Sequence, residues 1–491
     1  MPGVKTQILI VGGSLGGVSA AIAAAEMGVE TVLAADGNWL GGQLTSQAVP
    51  PDENQWIETV GCTARYQKLR SLIRAAYRAM PEYIGDGMNP GGGWVSRLCF
   101  EPLVGVRVIE NWLAALPSLK VLKGLLPIEA ESIADRVASI TFIDAEGRIT
   151  GIEADYILDA TETGDLLPMV GAEYRVGAEA RSETGEPNAL ETADPTAQQA
   201  ITWCMAVQYD PASDHTIEKP KQYDFWRSFQ PSFWPGPLLS MTTADPITGQ
   251  AKTWEPMELF DYRRIVDGSQ WNPARHSATI LNWPQNDYFL GPIVDVDEET
   301  RKERSEGARQ LTLSLLYYLQ TERGMTGLRP CGDLTGTSDG FAQAPYIRES
   351  RRIVSRFTVL QQHIAGDRNS AEHFPDSVGI GHYRIDLHPR SPILGYLDVA
   401  ALPFQIPLGA LIPVRLTNLL PACKNIGTTH ITNGCYRLHP VEWNIGEASG
   451  ALAAHCFLSD VRPGQVYEDK GQLEGFQILL SSQGVRMGWV D

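Results

Sequence analysis

Seventeen residues, Thr428 to Asn444, carry the densest chemistry in this chain: His430, Asn433, Arg437, His439, Glu442 and Asn444 fall within one stretch. Histidine is the side chain that takes up a proton near neutral pH, and an arginine supplies a fixed positive charge for an anion. His430, Arg437 and His439 are therefore the candidate catalytic residues. A structural account competes for each of them. Pro440 suits the first position of a helix, and Glu442 then falls in its first turn, where a negative charge favours the positive end of the macrodipole.

A second group of residues can hold phosphate. The run Thr6-Gln7-Ile8-Leu9-Ile10-Val11-Gly12-Gly13-Ser14-Leu15-Gly16-Gly17 is an apolar strand leading into a glycine-rich turn and a helix of small residues. This is the pattern of a dinucleotide-binding βαβ unit: Gly12 ends the strand in a tight turn, Gly17 lets the helix pack closely on the sheet, and the helix N-terminus offers N–H groups to a pyrophosphate. Ala21 and Gly28 are small where that helix lies on the sheet. Ser14 departs from G-x-G-x-x-G at the middle glycine, and its hydroxyl is a donor for phosphate. The second strand, Glu30 to Ala35, ends without the usual ribose-binding acid; Asp36, one residue later, is the candidate.

The elements that position these groups follow from pattern. Helices are predicted over 101–116, 299–322, 345–365 and 440–458, and strands over 121–133, 138–142, 156–161 and 416–421. Between about 188 and 330 the texture changes to polar loops rich in Trp, Tyr and Pro, including Trp226, Trp234, Trp254, Trp271 and Trp283. The tail then returns to the first texture. The expected fold is α/β: a discontinuous Rossmann-like nucleotide-binding domain, three-layered around a mostly parallel sheet, in residues 1–187 and 401–491, with an inserted α+β substrate domain in 188–400. Asn282 to Tyr288 could line a substrate site or make the insert's core. Arg348, Arg351 and Arg352, at helical spacing with Glu349, read as surface pairs, or, with Pro345 and Tyr346 beside them, as the edge of a pocket.

Composition narrows the class. The chain has 491 residues, 43% hydrophobic and 20% charged, enough for a large core. A net charge of −18 repels phosphate backbones and anionic lipid, so neither nucleic acid nor a membrane is an expected partner. Ile406 to Val414 falls far short of the roughly 20 residues that span a bilayer, and no signal peptide is visible. Seven scattered cysteines show neither C-x-x-C nor zinc spacing, so no metal site is expected and the compartment reads as reducing and cytoplasmic. Without a resolving partner, Cys62 and Cys99 are weak candidates for redox work.

These segments together resemble the FAD-dependent oxidoreductases of the glutathione-reductase-like superfamily, in the group described simply as FAD-dependent oxidoreductases. The residues that carry the resemblance are Gly12 to Gly17, Trp39-Leu40-Gly41-Gly42-Gln43-Leu44-Thr45-Ser46-Gln47, Ala160-Thr161-Glu162-Thr163-Gly164-Asp165, Tyr346 to Arg352, Asp376 to Gly381 and Asn425 to Gly450. The resemblance implies FAD as cofactor. It implies contacts from Gly12, Gly13, Ser14, Gly16, Gly17, Asp36, Gly41, Gly42, Gln43, Thr45, Ala160, Thr161, Gly164, Asn425, Asn444 and Ile445. It also implies that the helix beginning near Pro440 aims its N-terminus at the pyrimidine edge of the isoalloxazine. No second strand-GxGxxG-helix unit for NAD(P)H follows the first. The expected activity is thus an oxidase or dehydrogenase taking hydride from a carbon bearing an alcohol or amine of a small molecule. A monooxygenase reduced by external NAD(P)H is the alternative, and a flavin-holding protein without turnover is the third class.

Overall fold

The computed structural model describes residues 4–366 and 369–489. β1 (Val4–Val11), α1 (Leu15–Glu26) and β2 (Thr31–Ala35) form the βαβ unit, with β1 and β2 parallel. Ile8 to Val11 are buried on both faces, which is why the strand reads as an unbroken apolar run. α2 (Ala64–Arg78) and α3 (Pro102–Ala114) lead to β3 (Leu119–Lys123), parallel to β2. β4 (Leu126–Ile133), β5 (Arg136–Ile143) and β6 (Ile149–Asp159) form an antiparallel meander that returns β6 alongside β1 in parallel. The single strand predicted over 121–133 is two strands, because Gly124 takes φ +71° between them and turns the chain.

Beyond this sheet, β7 (Met205–Tyr209), β8 (Arg264–Val266), β9 (Ala278–Leu281) and β10 (Leu328–Pro330) make an antiparallel sheet in the order β8-β9-β7-β10. α4 (Glu298–Thr321) packs there, and Leu311, Leu315 and Leu319 share a core with Trp226, Trp234 and Trp283. Trp271 belongs instead to the core that includes α1.

The helix predicted over 345–365 is not formed. Residues 345–350 are extended, Tyr346 exchanges backbone hydrogen bonds with Thr202 at 3.1 and 2.8 Å, and only one turn, Gln361–Ile364, is helical. Nor do the arginines of this segment form surface pairs. Arg348, Arg351 and Arg352 are all buried and reach carboxylates on different parts of the chain: Asp287, then Asp165 and Asp295, then Glu179 and Glu349. A helix could not send three neighbouring side chains to partners so far apart, and these pairings override the local spacing.

The last part of the chain contributes β11 (Ile385–Leu387), β12 (Leu397–Val399), β13 (Leu419–Pro421), α5 (His430–Tyr436) and α6 (His439–Ser459). β13 joins the main sheet beside β6, in parallel. α6 lies on α1 at backbone contact: a Cβ on Gly446 would sit 2.0 Å from the Gly16 carbonyl oxygen, and one on Gly450 2.2 Å from that of Ala20. Small residues on both helices therefore fix the position of the α6 N-terminus against the glycine turn. Among the described residues, no helix is long and apolar enough to cross a membrane and no cluster of His, Cys, Asp and Glu could hold a metal ion. All seven cysteines are free; burial pushes the Cys62 and Cys99 thiols up to about 12, so neither offers a thiolate.

Candidate active site

The carboxyl ends of β1, β2 and β6 open onto a cavity of about 570 Å³. Gly12, Gly13, Ser14, Asp36, Gly42, Ala160 and Thr161 line it, which is where ligands sit in an open parallel sheet. Gly12 holds φ +114°, and a Cβ there would meet the Ala160 carbonyl oxygen at 2.2 Å; one on Gly17 would meet the Gly12 carbonyl oxygen at 2.3 Å. Only glycine allows strand, turn and helix to close up this way. The Ser14 hydroxyl oxygen accepts from Gly17 N at 3.1 Å, making Ser14 the N-cap of α1. Asp36 keeps open surface onto the cavity. Enclosure by the surrounding protein nonetheless raises its carboxyl above the usual range, and the Glu162 and Asp165 carboxylates add to this.

The remaining expected cofactor residues build the walls from behind. Gly16 N donates to Glu442 Oε1 at 3.2 Å, so this amide of α1 is answered by the first turn of α6. Gln43 turns the same way, donating to Glu442 and to the Arg437 carbonyl at 2.9 Å. Burial pushes the Glu442 carboxyl up, opposed by Lys424. Gly41, at φ +111°, donates its N–H to Gly13 O at 2.8 Å, and Thr45 Oγ1 donates to Leu40 O at 2.8 Å. Gly164, at φ +65°, turns the chain beside Arg351. Asn425 donates to Asp159 O, Asn444 donates to Val378 O, and Ile445 is core. None of these lines the cavity.

Gln47 does line it and was not singled out from the sequence. It is fully buried, and neither its side-chain oxygen nor its nitrogen has a hydrogen-bond partner. A buried amide left with both a donor and an acceptor fits a ring system that carries both, as the flavin's pyrimidine edge does. Its only signal in the sequence is its place in the run after Gly41-Gly42.

A second cavity, of about 340 Å³, lies across residues 345–348. Because this stretch is extended, Pro345 and Ile347 line the first cavity while Tyr346 and Arg348 line the second. Arg437 reaches the second cavity, donating to Tyr346 Oη at 2.6 Å and to the Asp386 carbonyl at 3.0 Å. His388, just after β11, also lines it and was missed. Its Nδ1 is 2.6 Å from Asp287 Oδ2, and its Nε2 is 3.4 Å from Asp386 Oδ2. Against burial, which raises it, Arg348 and His388 hold the Asp287 carboxyl at about 2.

His430 and His439 line neither of these two cavities. His430 pairs through Nδ1 with both Glu349 oxygens, at 2.9 and 3.0 Å, and its backbone N–H caps onto Glu179. His439 accepts from Asp52 N through Nδ1 at 3.0 Å. Burial holds its pKa down to about 4, from an ordinary 6.5. A histidine kept neutral in the fold but free to protonate when unfolded leaves stability intact above pH 6.5; that stability is lost as pH falls from 6.5 to 4, by about 3 kcal/mol in all. His439→Gln should flatten this loss. Denaturant midpoints at pH 7.5 and 4.5 measure it; an equal drop in both proteins would assign the acid sensitivity elsewhere.

A mainly parallel sheet with a glycine turn after β1 and a cavity at its carboxyl ends marks a Rossmann-like dinucleotide-binding domain. The chain belongs to the FAD dependent oxidoreductase family, whose model matches residues 7–477; it is an enzyme, and its cofactor is FAD. No curated protein sequence matches it. Among solved structures it is similar to a geranylgeranyl bacteriochlorophyll reductase-like protein from Thermoplasma acidophilum, at 10% identity over 99% of this chain and 85% of that one, with a TM-score of 0.35. It is also similar to p-nitrophenol 4-monooxygenase PnpA from Pseudomonas putida DLL-E4, at 12% identity over 72% of this chain and 70% of that one, TM-score 0.33. A third likeness, to L-proline dehydrogenase from P. horikoshii, is 13% identical over 32% of this chain and spans 22% of that protein, TM-score 0.20. Likenesses this low bear on neither substrate nor reaction.

Proposed function

We propose that this enzyme is an oxidase or dehydrogenase of the glutathione-reductase-like superfamily that takes hydride from a carbon bearing an alcohol or amine of a small molecule. FAD would be held by Gly12, Gly13, Ser14, Gly42, Gln47, Ala160 and Thr161, with Asp36 at the ribose, and residues 188–400 would act as an inserted substrate domain. When bound, FAD supplies a hydride acceptor, a role no side chain can fill. The observation that carries the reading is the shared wall: residues 345–348 alternate between the cofactor cavity and the cavity that holds the Asp287–His388 pair.

The side chains then divide the work. The Asp287 carboxylate keeps the Nδ1 proton in place and leaves Nε2 to accept the proton of a substrate hydroxyl or ammonium group. Asp386 and Asp287 together stabilise the resulting imidazolium. Arg437 fixes the Tyr346 ring against the second cavity and, through its carbonyl, holds Gln43. It contributes positive charge between the two cavities. The test is anaerobic: alcohols and amines alone should bleach the bound flavin. If only NADH or NADPH bleaches it and substrate merely accelerates this, the enzyme is a monooxygenase; if nothing does, it holds flavin without turnover.

A further inference from the structure

Four arginines line the second cavity, and they differ in how their charge is met. Arg384 is paired with Asp398. Arg348 donates to the Ala200 carbonyl at 2.8 Å and to Thr202 Oγ1 at 2.9 Å, and lies 3.1 Å from Asp287 Oδ1. Arg437 is met by Tyr346 and Asp386. Among the described residues, nothing accepts a hydrogen bond from Arg263 Nε or Nη1. Its nearest carboxylate, Asp52, is 3.7 Å away, and the guanidinium sits 5.1 Å from the Tyr262 ring centre, while its side chain is only 11% exposed. A guanidinium removed from water without hydrogen-bond partners is strongly unfavourable unless something else meets it.

The other polar groups of the cavity point the same way. Among residues that line it, every buried side-chain atom without a partner is an N–H donor: Arg263 Nε and Nη1, Asn282 Nδ2, Trp283 Nε1, Arg348 Nε and Arg437 Nε. The acids are each met by a partner: Asp386 by Arg437 and His388, Asp398 by Arg384, Asp245 by amides of its own turn, and Asp52 by Arg263 at 3.7 Å, beyond hydrogen-bond length. A complementary ligand therefore brings acceptor oxygens and one negative charge. A planar fork whose hydrogen bonds are unmade matches a carboxylate, and Asp52 beside it disfavours a dianionic phosphate; Lys252, a further cation of the wall, lies over the Trp254 ring at 3.6 Å from its centre. Trp94, Trp254, Tyr262, Trp283, Tyr383 and Tyr396 give the rest of the wall flat apolar faces, suited to a ring.

We infer that the second cavity takes an organic monocarboxylate with a ring-shaped body, its carboxylate held by Arg263. As an account of the substrate, this rests on the reading of that cavity as the substrate site. The hydroxyl or amine to be oxidised then lies on the same molecule as the carboxylate, within reach of His388. Arg263 is a binding residue, and its partner Asp52 sets where the fork lies.

The experiment titrates the FAD-loaded enzyme with benzoate, phenylacetate and indole-3-acetate, each paired with its carboxamide, following the flavin spectrum and calorimetric heats. At least one carboxylate should saturate, with its amide at least tenfold weaker. Arg263→Gln should erase that preference while FAD remains bound, and Arg263→Lys should keep part of it. The inference fails if none of the carboxylates binds, if amides bind as well as acids, or if Arg263→Gln retains the preference. The acid-against-amide comparison uses the native protein, so it stands even where a variant folds poorly. Binding of an acid while no alcohol or amine bleaches the flavin would overturn the proposed reaction and leave this inference intact. Bleaching by neutral alcohols or amines as readily as by their carboxylate-bearing counterparts would overturn this inference alone.

Discussion

Gly17→Leu should give a folded, colourless protein. The glycine lies where α1, the Gly12 turn and the end of β6 meet, and a Cβ there would stand 2.3 Å from the Gly12 carbonyl oxygen and 2.9 Å from Ala160 Cβ. A leucine must push α1 away from both. Overpacking of this kind costs about 1–3 kcal/mol, which a chain with so large a core should survive, but Gly12 and Ala160 themselves line the cofactor cavity. Displacing them by even a small fraction of an ångström opens a cradle built at backbone contact. FAD affinity should drop by about 100-fold or more, equivalent to about 3 kcal/mol. The flavin-to-protein absorbance ratio after purification, the reconstitution isotherm with added FAD and a thermal melt separate the effects. A yellow variant with native FAD content would remove the glycine turn from the cofactor site; if the flavin released on denaturation of the native protein were FMN, the pyrophosphate reading itself would fall.

The nucleotide half of this site is legible in the sequence because local rules decide it. A strand that ends in an apolar run, a turn that only glycine can make and a helix of small residues state their geometry within thirty residues, and the two long helices predicted at 299–322 and 440–458 end within a residue of Glu298–Thr321 and His439–Ser459. The substrate half is written in long-range pairs. Arg348, Arg351 and Arg352 have helical spacing, and nothing local reveals that Thr202 pairs with Tyr346 and draws the segment straight. His388 is an isolated histidine until Asp287, 101 residues away, meets its Nδ1. The reverse ambiguity also occurs. Gly16 and Gln43 look like cofactor contacts, yet Glu442 answers both from the far end of the chain, and Asn425 and Asn444 spend their amides on backbone groups. Residue type identifies a polar partner without saying whether that partner is a ligand or a loop.

That ambiguity bears most on the three histidines, and substitution separates them. His388→Ala should slow anaerobic flavin reduction by substrate roughly 10²- to 10⁴-fold, the range that loss of a general base costs, with FAD content unchanged, since His388 does not line the cofactor cavity. Asp287→Asn should slow it too, because an amide at that position no longer anchors the Nδ1 proton with a charge. Asp287 also meets Arg348 at 3.1 Å, so its variant should lose stability as well, whereas His388, partly exposed at the cavity wall, should lose little. His430→Ala leaves Glu349 with Arg352 and the Gln199 N–H but without its imidazole and should lower the melting temperature without changing the reductive rate by more than a few-fold. Stopped-flow reduction under saturating substrate, set beside melting curves, distinguishes the two patterns. Should His430→Ala or His439→Ala lose the rate while His388→Ala keeps it, the proton would leave through the α5–α6 junction, and the Asp287–His388 pair would be a structural clamp between β11 and the loop that follows β9.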